Sequence, residues 1–262
     1  MAWRPVFEKH AIEKVRVIFA FNADFRPKFV HRLSEFLEQN RVVLGLNAKV
    51  DLSGPGLVIQ IGTNGPAAPQ NSQVAGWSYR RTLSDGTIVE NISLENGVLS
   101  FESSQYTNWT AFVERVLLAT EGIVAEMSTY DDMVALALEY YDRFIYVGEP
   151  KKADPLEIFD LDTKLIPAEA LADGNMWHIH RGWFEASGGG KLLVNQNLDA
   201  QDGEFDRKPA RSIAIMTKVE ARNGMHELTP ATVSDSLTVM HDRSKEVLKD
   251  VLLPKTVEMI GM

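Results

Sequence analysis

The chain has no cysteine, which excludes disulfides, thiolate zinc sites and cysteine nucleophiles while leaving the compartment open. Positive charge is the minority sign: 27 Lys and Arg face 36 Asp and Glu, a formal net charge of −9. A duplex nucleic-acid binder needs a dense Lys/Arg surface to displace counterions from phosphates, and no run here resembles one. No stretch approaches the ~20 apolar residues of a membrane span. The first ten residues, Met1 to His10, lack the apolar core of a secretory signal, so a cytoplasmic protein without a membrane partner is expected. Gly-x-Ser-x-Gly, the nucleophile elbow of serine hydrolases, does not occur.

What is present is an ordinary globular composition, 45% apolar and 24% charged over 262 residues, enough to bury a sizeable core. Glu13 to Phe21 alternates in the manner of a strand, with Val15, Val17, Phe19 and Phe21 on one face. Pro27 to Gln39 has helical spacing, and proline suits its first turn. Gly54-Pro55-Gly56 reads as a turn, Leu57 to Ile61 as a buried strand, and Asn64 to Gln73 as a surface loop. Asp85-Gly86 and Asn96-Gly97 separate Ala75–Leu83, Thr87–Leu94 and Val98–Ser104, an antiparallel meander with tight hairpins. A long amphipathic helix follows over Thr107 to Met127, with Thr107 as N-cap. Gly122 in its interior marks a close contact or a bend.

The same order of elements then recurs. Val134 to Val147 alternates, with Val134, Leu136, Leu138 and Tyr140 facing one way. Pro150 to Pro155 reads as a link between halves, followed by a short strand at Ile158 to Leu161 and a short helix at Pro167 to Leu171. Asn175–Ala186, Lys191–Leu198 and Ala210–Ala221 read as strands, with turns at Ser187 to Gly190 and at the acidic stretch Asp199 to Asp206. Thr229 and Pro230 open a final helix whose buried face holds Val233, Leu237, Met240, Ser244, Val247, Leu248 and Val251, and Pro254 stops it. The expected fold is therefore α+β: antiparallel sheets, or one continuous curved sheet, from two similar β-α-β(n)-α halves over 1–133 and 134–262. The halves form one unit with the long helices on one face.

Four stretches carry a family resemblance: Phe7-Glu-Lys-His-Ala-Ile-Glu13, Tyr106-x-x-Trp109-x-x-Phe112, Leu138-Glu-Tyr-Tyr-Asp-Arg-Phe144, and Met240-His241 with Val247-Leu248, Leu252-Leu253 and Met259-Ile260-Gly261. Together they resemble a sporadically distributed family of uncharacterised prokaryotic proteins of about this size. The family usually carries Asn where this chain has Asp142, and an aromatic where it has Leu248. The resemblance implies a shared fold and no particular activity. In element order the halves are also similar to TATA-binding-protein and helix-grip folds, an analogy of topology that carries no function.

The sharpest chemical pattern is His178-x-His180, whose alternate positions share one face of a strand. Glu185 completes His-x-His-x(4)-Glu, reminiscent of the first metal motif of cupins, although the span from His180 to Glu185 reverses the face and no second motif follows. Gly188-Gly-Gly-Lys191 lacks the remainder of a phosphate loop and reads as a hairpin turn. Asp199, Asp202, Glu204 and Asp206 lack EF-hand spacing. Asp160 with Asp162, and Glu139 with Asp142, are carboxylates available for acid–base pairing, and Asp142-Arg143 is a candidate interior ion pair. His241 reads as a helix-packing histidine; Trp109, Phe112, Trp177 and Trp183 read as core.

No cofactor is expected. The function expected first is a non-enzymatic binding or adaptor protein that recognises a protein partner or self-associates. A small-ligand protein with a pocket between curved sheet and helix is the alternative, and a metal-dependent enzyme using His178 and His180 stands behind both.

Overall fold

A computed structural model describes residues 3–22, 25–53, 74–160, 162–163, 165–167, 171, 176–187, 190–222 and 228–262. Its elements in chain order are β1 (Trp3–Pro5), β2 (Ile12–Phe21), α1 (Pro27–Leu44), β3 (Ala48–Ser53), β4 (Val74–Thr82), β5 (Ile88–Glu95), β6 (Val98–Ser103) and α2 (Trp109–Ser128). They continue with β7 (Met133–Val147), β8 (Trp177–Ser187), β9 (Gly190–Phe205), β10 (Lys208–Arg222), α3 (Pro230–Lys249) and α4 (Pro254–Met259). The strands form one continuous sheet in the order β3-β4-β5-β6-β2-β7-β10-β9-β8, with β1 added beside β7. Every pairing is antiparallel.

Strand period two decides which side chains meet the helices. On β2, Val15, Val17, Phe19 and Phe21 are buried; on β7, Leu136, Leu138, Tyr140, Asp142 and Phe144 are buried in the same alternation. Val134, expected on that stripe, is exposed at the strand's start. The helices cover this face of the sheet, with Leu33 and Leu37 of α1, Val116 and Ile123 of α2, and Leu237 and Met240 of α3 joining the β2 and β7 residues in one core. A second core lies under the far end of α3, where Phe144, Ile213 and Ile215 meet Phe159, Val251 and Leu252. Asp142 sits on β7 between Tyr140 of the first core and Phe144 of the second.

Local chemistry sets the boundaries. Asn96 and Gly97 both take positive φ (50° and 76°) in the β5–β6 hairpin, the geometry the Asn-Gly pair predicts. The N-cap of α2 is Asn108, not Thr107: its side chain accepts from the Ala111 N–H at 3.0 Å. Gly122 marks a close contact, since a Cβ there would lie 2.8 Å from Cδ1 of Phe36 on α1. Thr229 caps α3 in a reciprocal capping box with Thr232.

Several expectations are corrected. The first helix runs on to Leu44, and Gly45 ends it at φ 64°. Strand β3 was not anticipated. Asp199 to Phe205 is strand, and the turn is Asp206-Arg207, both with positive φ; Asp202 there pairs with buried Arg211 on β10 at 2.7 Å. Pro150 to Pro155 folds as 3-10 turns against the sheet, where the Trp3 indole N–H donates to Asp154 O at 2.8 Å. Phe159 makes a single bridge to Leu252 instead of a strand. Pro254 begins α4 as well as ending α3. The turn at 54–56, the strand at 57–61, the loop at 64–73 and most of the helix at 167–171 lie outside the described residues.

Candidate functional site

Where the two cores meet, a pocket of about 350 Å³ opens between the sheet and the helices. Four parts of the chain supply its walls: the segment Lys9–Ile12 before β2, the entry to α2 at Tyr106–Trp109, β7 and β10 through Tyr140, Asp142 and Thr217, and the middle of α3 from His241 to Leu248. Ile260 to Met262, after α4, close one side. A register shift between Ile12 and Lys14 lies directly beside Asp142, which pairs with Ile12. Such bulges bend a strand and re-aim its side chains.

Aromatic contacts fix the polar groups. The His241 ring lies flat on the Trp109 indole, with centroids 4.2 Å apart and planes at 4°. Its Nδ1 is 2.8 Å from the Tyr140 hydroxyl. Tyr106 meets Tyr140 edge-on at 6.1 Å and His10 edge-on at the same distance. Burial, helped by the Lys245 charge, pulls the His241 pKa down to about 4, so its imidazole is neutral at pH 7. Burial also lowers the pKa of His10 and raises those of Tyr106 and Tyr140. The Nδ1 of His10 is buried without a hydrogen-bond partner.

Asp142 is the exceptional group. It is 3% exposed and lines the pocket. It makes no hydrogen bond or ion pair to another described residue. Desolvation alone lifts its pKa to about 7. An ionised carboxylate without a partner is costly in such surroundings, so the proton is retained up to neutral pH. A carboxyl, two imidazoles and two phenols therefore converge on one pocket, able to accept or donate hydrogen bonds to a bound molecule.

The expected pairings of Asp142 do not form. Glu139 and Arg143 project to the opposite face of β7, where Glu139 meets Arg16 and Lys218, and Arg143 pairs with Glu13 at 2.9 Å. Asp160 and Asp162 make local turn contacts, the Asp162 N–H donating to the Asp160 carboxylate.

The metal candidates are only partly brought together. His178 and His180 share the outward face of β8, the first 3.7 Å from Asp199 and the second bonded to Asn197. Glu185 lies on the other face, bound by Arg243 of α3 at 2.6 Å. Among the described residues no group of three or more His, Asp or Glu is placed to hold a metal. No described helix is long and apolar enough to cross a membrane.

The sequence matches no protein-family model and no curated protein. The pocket draws together residues far apart in the chain: His10, Tyr106 and Trp109, Tyr140 and Asp142, and His241, Leu248, Ile260 and Gly261. Trp109, expected in the core, and His241, expected as a helix-packing histidine, both line the pocket, as do His10 and Tyr106, for which no role was expected. Asp142, expected to pair with Glu139 or Arg143, instead stands in the apolar phase of its strand and faces the cavity.

Proposed function

We propose that this protein binds a small molecule in the pocket between β7, β10, α2 and α3. One observation carries the reading: Asp142, buried and without a partner, faces a cavity whose other polar groups are positioned by aromatic packing. Convergent polar groups in a largely apolar concavity are the usual form of a ligand site, and the volume falls at the lower end of the ~300–1,000 Å³ range of such sites. Ligand binding thus stands ahead of an adaptor role.

The chain is also read as two related β-α-β(n)-α halves in the manner of TATA-binding-protein folds. Support comes from the sheet order, which sets β2 beside β7 at its middle, and from the packing of α2 and α3 on the same face. The pocket then lies beside the junction of the halves.

A thermal-shift screen with a chemically broad metabolite set tests the ligand reading. A ligand at 100 times its Kd adds about 2.7 kcal/mol, a rise of several degrees for a chain of this size. Hits that stabilise the wild type and fail with Asp142→Asn/His241→Phe support the pocket as their site. Hits unaffected by that double substitution contradict it.

Self-association stands second. The edge strand β8 is paired on one side among the described residues, and Phe184 is 59% exposed on it. Light scattering on Phe184→Glu checks this: a wild-type dimer that becomes monomeric supports it, and a wild-type monomer ends it.

A further inference from the structure

Resting on the pocket reading, we infer that the bound molecule presents one protonated nitrogen, as an amine, amidine or guanidine, to the Asp142 carboxylate, and carries it on a flat apolar body. Asp142 is 3% exposed and faces the cavity. It receives no hydrogen bond and no ion pair from any described residue. Nothing in its own surroundings compensates the carboxylate, whereas a charge-assisted N–H donor would. The walls suit a planar body: the stacked Trp109–His241 pair, the edge-on Tyr106–Tyr140 pair and the Leu248 side chain border the space. Aromatic faces also attract a cation once water is excluded.

The outer part of the ligand is constrained as well. Exposed Lys9 and partly buried Lys245 line the same pocket. Their ammonium groups repel a divalent metal ion or a polyamine, whose second charge would lie beside them, and accept a neutral or acidic outer group. The ligand class is thus a singly cationic or zwitterionic amine, amidine or guanidine carried on a flat aryl body.

The titratable groups facing Asp142 are few. Lys9 and His10 come from the segment before β2, Tyr106 from the entry to α2, and Tyr140 from β7 itself. α3 contributes His241 and Lys245, with exposed Asp242 acting on Tyr140 and His241 from outside the pocket, and the lining residues of β10 and of 260–262 have no titratable side chain. His10 and His241 are both shifted toward the neutral form by burial. Ionisation of Asp142 therefore governs cation binding between pH 6 and 8.

Calorimetric titration with benzamidine, its neutral isostere benzamide, benzoate and spermidine tests the inference on the full chain. Benzamidine is expected to bind at least tenfold tighter than the other three. Its affinity should rise about tenfold from pH 6 to pH 8 as the carboxyl with a pKa near 7 ionises. Asp142→Asn should remove at least tenfold of the benzamidine affinity and leave benzamide within twofold. The pH series uses the wild type alone, so the inference stays testable if the variant fails to fold. Equal binding of benzamide or benzoate, tighter binding of spermidine, a flat pH profile, or no benzamidine binding each overturns it. Neutral or anionic fragments that bind and shift the Trp109 indole resonance in a parallel screen would overturn the cation and keep the pocket. A screen in which no fragment of any charge reaches Trp109 would remove both.

Discussion

Replacing Asp142 by Asn should stabilise the protein, and increasingly so as pH rises. The side chains are nearly isosteric, so the change removes the charge and keeps the shape. The folded carboxyl titrates at about 7 against an ordinary value of 3.8. It therefore holds its proton more tightly folded than unfolded. Between those two values the folded state binds more protons, so stability falls as pH rises through the window, and the loss is complete above about pH 7. Raising the carboxyl pKa from 3.8 to about 7 corresponds to about 4 kcal/mol. Water entering the open pocket lowers this, so about 2–4 kcal/mol is expected at pH 8. For a chain of this length that is about 5–15 °C in Tm. Urea denaturation of wild type and variant at pH 4, 6 and 8 reads the difference directly. The two should be close at pH 4 and diverge with the variant on top by pH 8. Parallel curves, or a variant less stable than wild type at pH 8, would refute the claim that this carboxyl is buried and uncompensated.

His241 titrates with the opposite sign: its folded pKa of about 4 is depressed, so the wild type loses stability as pH falls from 6.5 toward 4. His241→Phe keeps a ring on Trp109 and should abolish about 2 kcal/mol of that acid-side loss, allowing for partial exposure; urea midpoints at pH 4.5 and 7 check it. Gly122→Ala should destabilise by about 1–3 kcal/mol, because the new methyl meets Phe36 on α1 and overpacking exceeds the helix-propensity gain; pairing it with Phe36→Leu should recover most of the loss in the same assay. Arg243→Ala frees Glu185 and should cost about 1 kcal/mol, with faster amide exchange along β8 than along β7 by mass spectrometry.

The sheet was legible because its strands obey one simple alternation. Val15 to Phe21 and the hairpins at Asp85-Gly86 and Asn96-Gly97 announce themselves through side-chain phase and turn chemistry. β3 escaped although Ala48, Val50 and Leu52 alternate with polar residues: the run is only six residues long, and as an edge strand it leaves Val50 and Asp51 in solvent. The acidic stretch Asp199 to Asp206 reads as a turn because charge usually marks solvent, yet its even-numbered face includes Ala200 and Asp202, which serve the core and Arg211. The pocket was legible only in part. Period two, continued one step past Leu136, Leu138 and Tyr140, places Asp142 on the buried face, and a carboxylate there is the sequence-level mark of the site. Its partners were not derivable, since His10, Trp109 and His241 reach it from separate elements across long sequence distances. The His178-x-His180 motif was conspicuous for a local reason, strand alternation, which also sends Glu185 to the opposite face.

A crystallographic fragment screen at pH 8 tests most directly whether the cavity at the junction of the two cores is a ligand site. Fragments should gather between Trp109, Tyr140 and His241, with a nitrogen within about 3 Å of the Asp142 carboxylate. Fragments that bind elsewhere on the molecule while this cavity stays filled by its own side chains would contradict it.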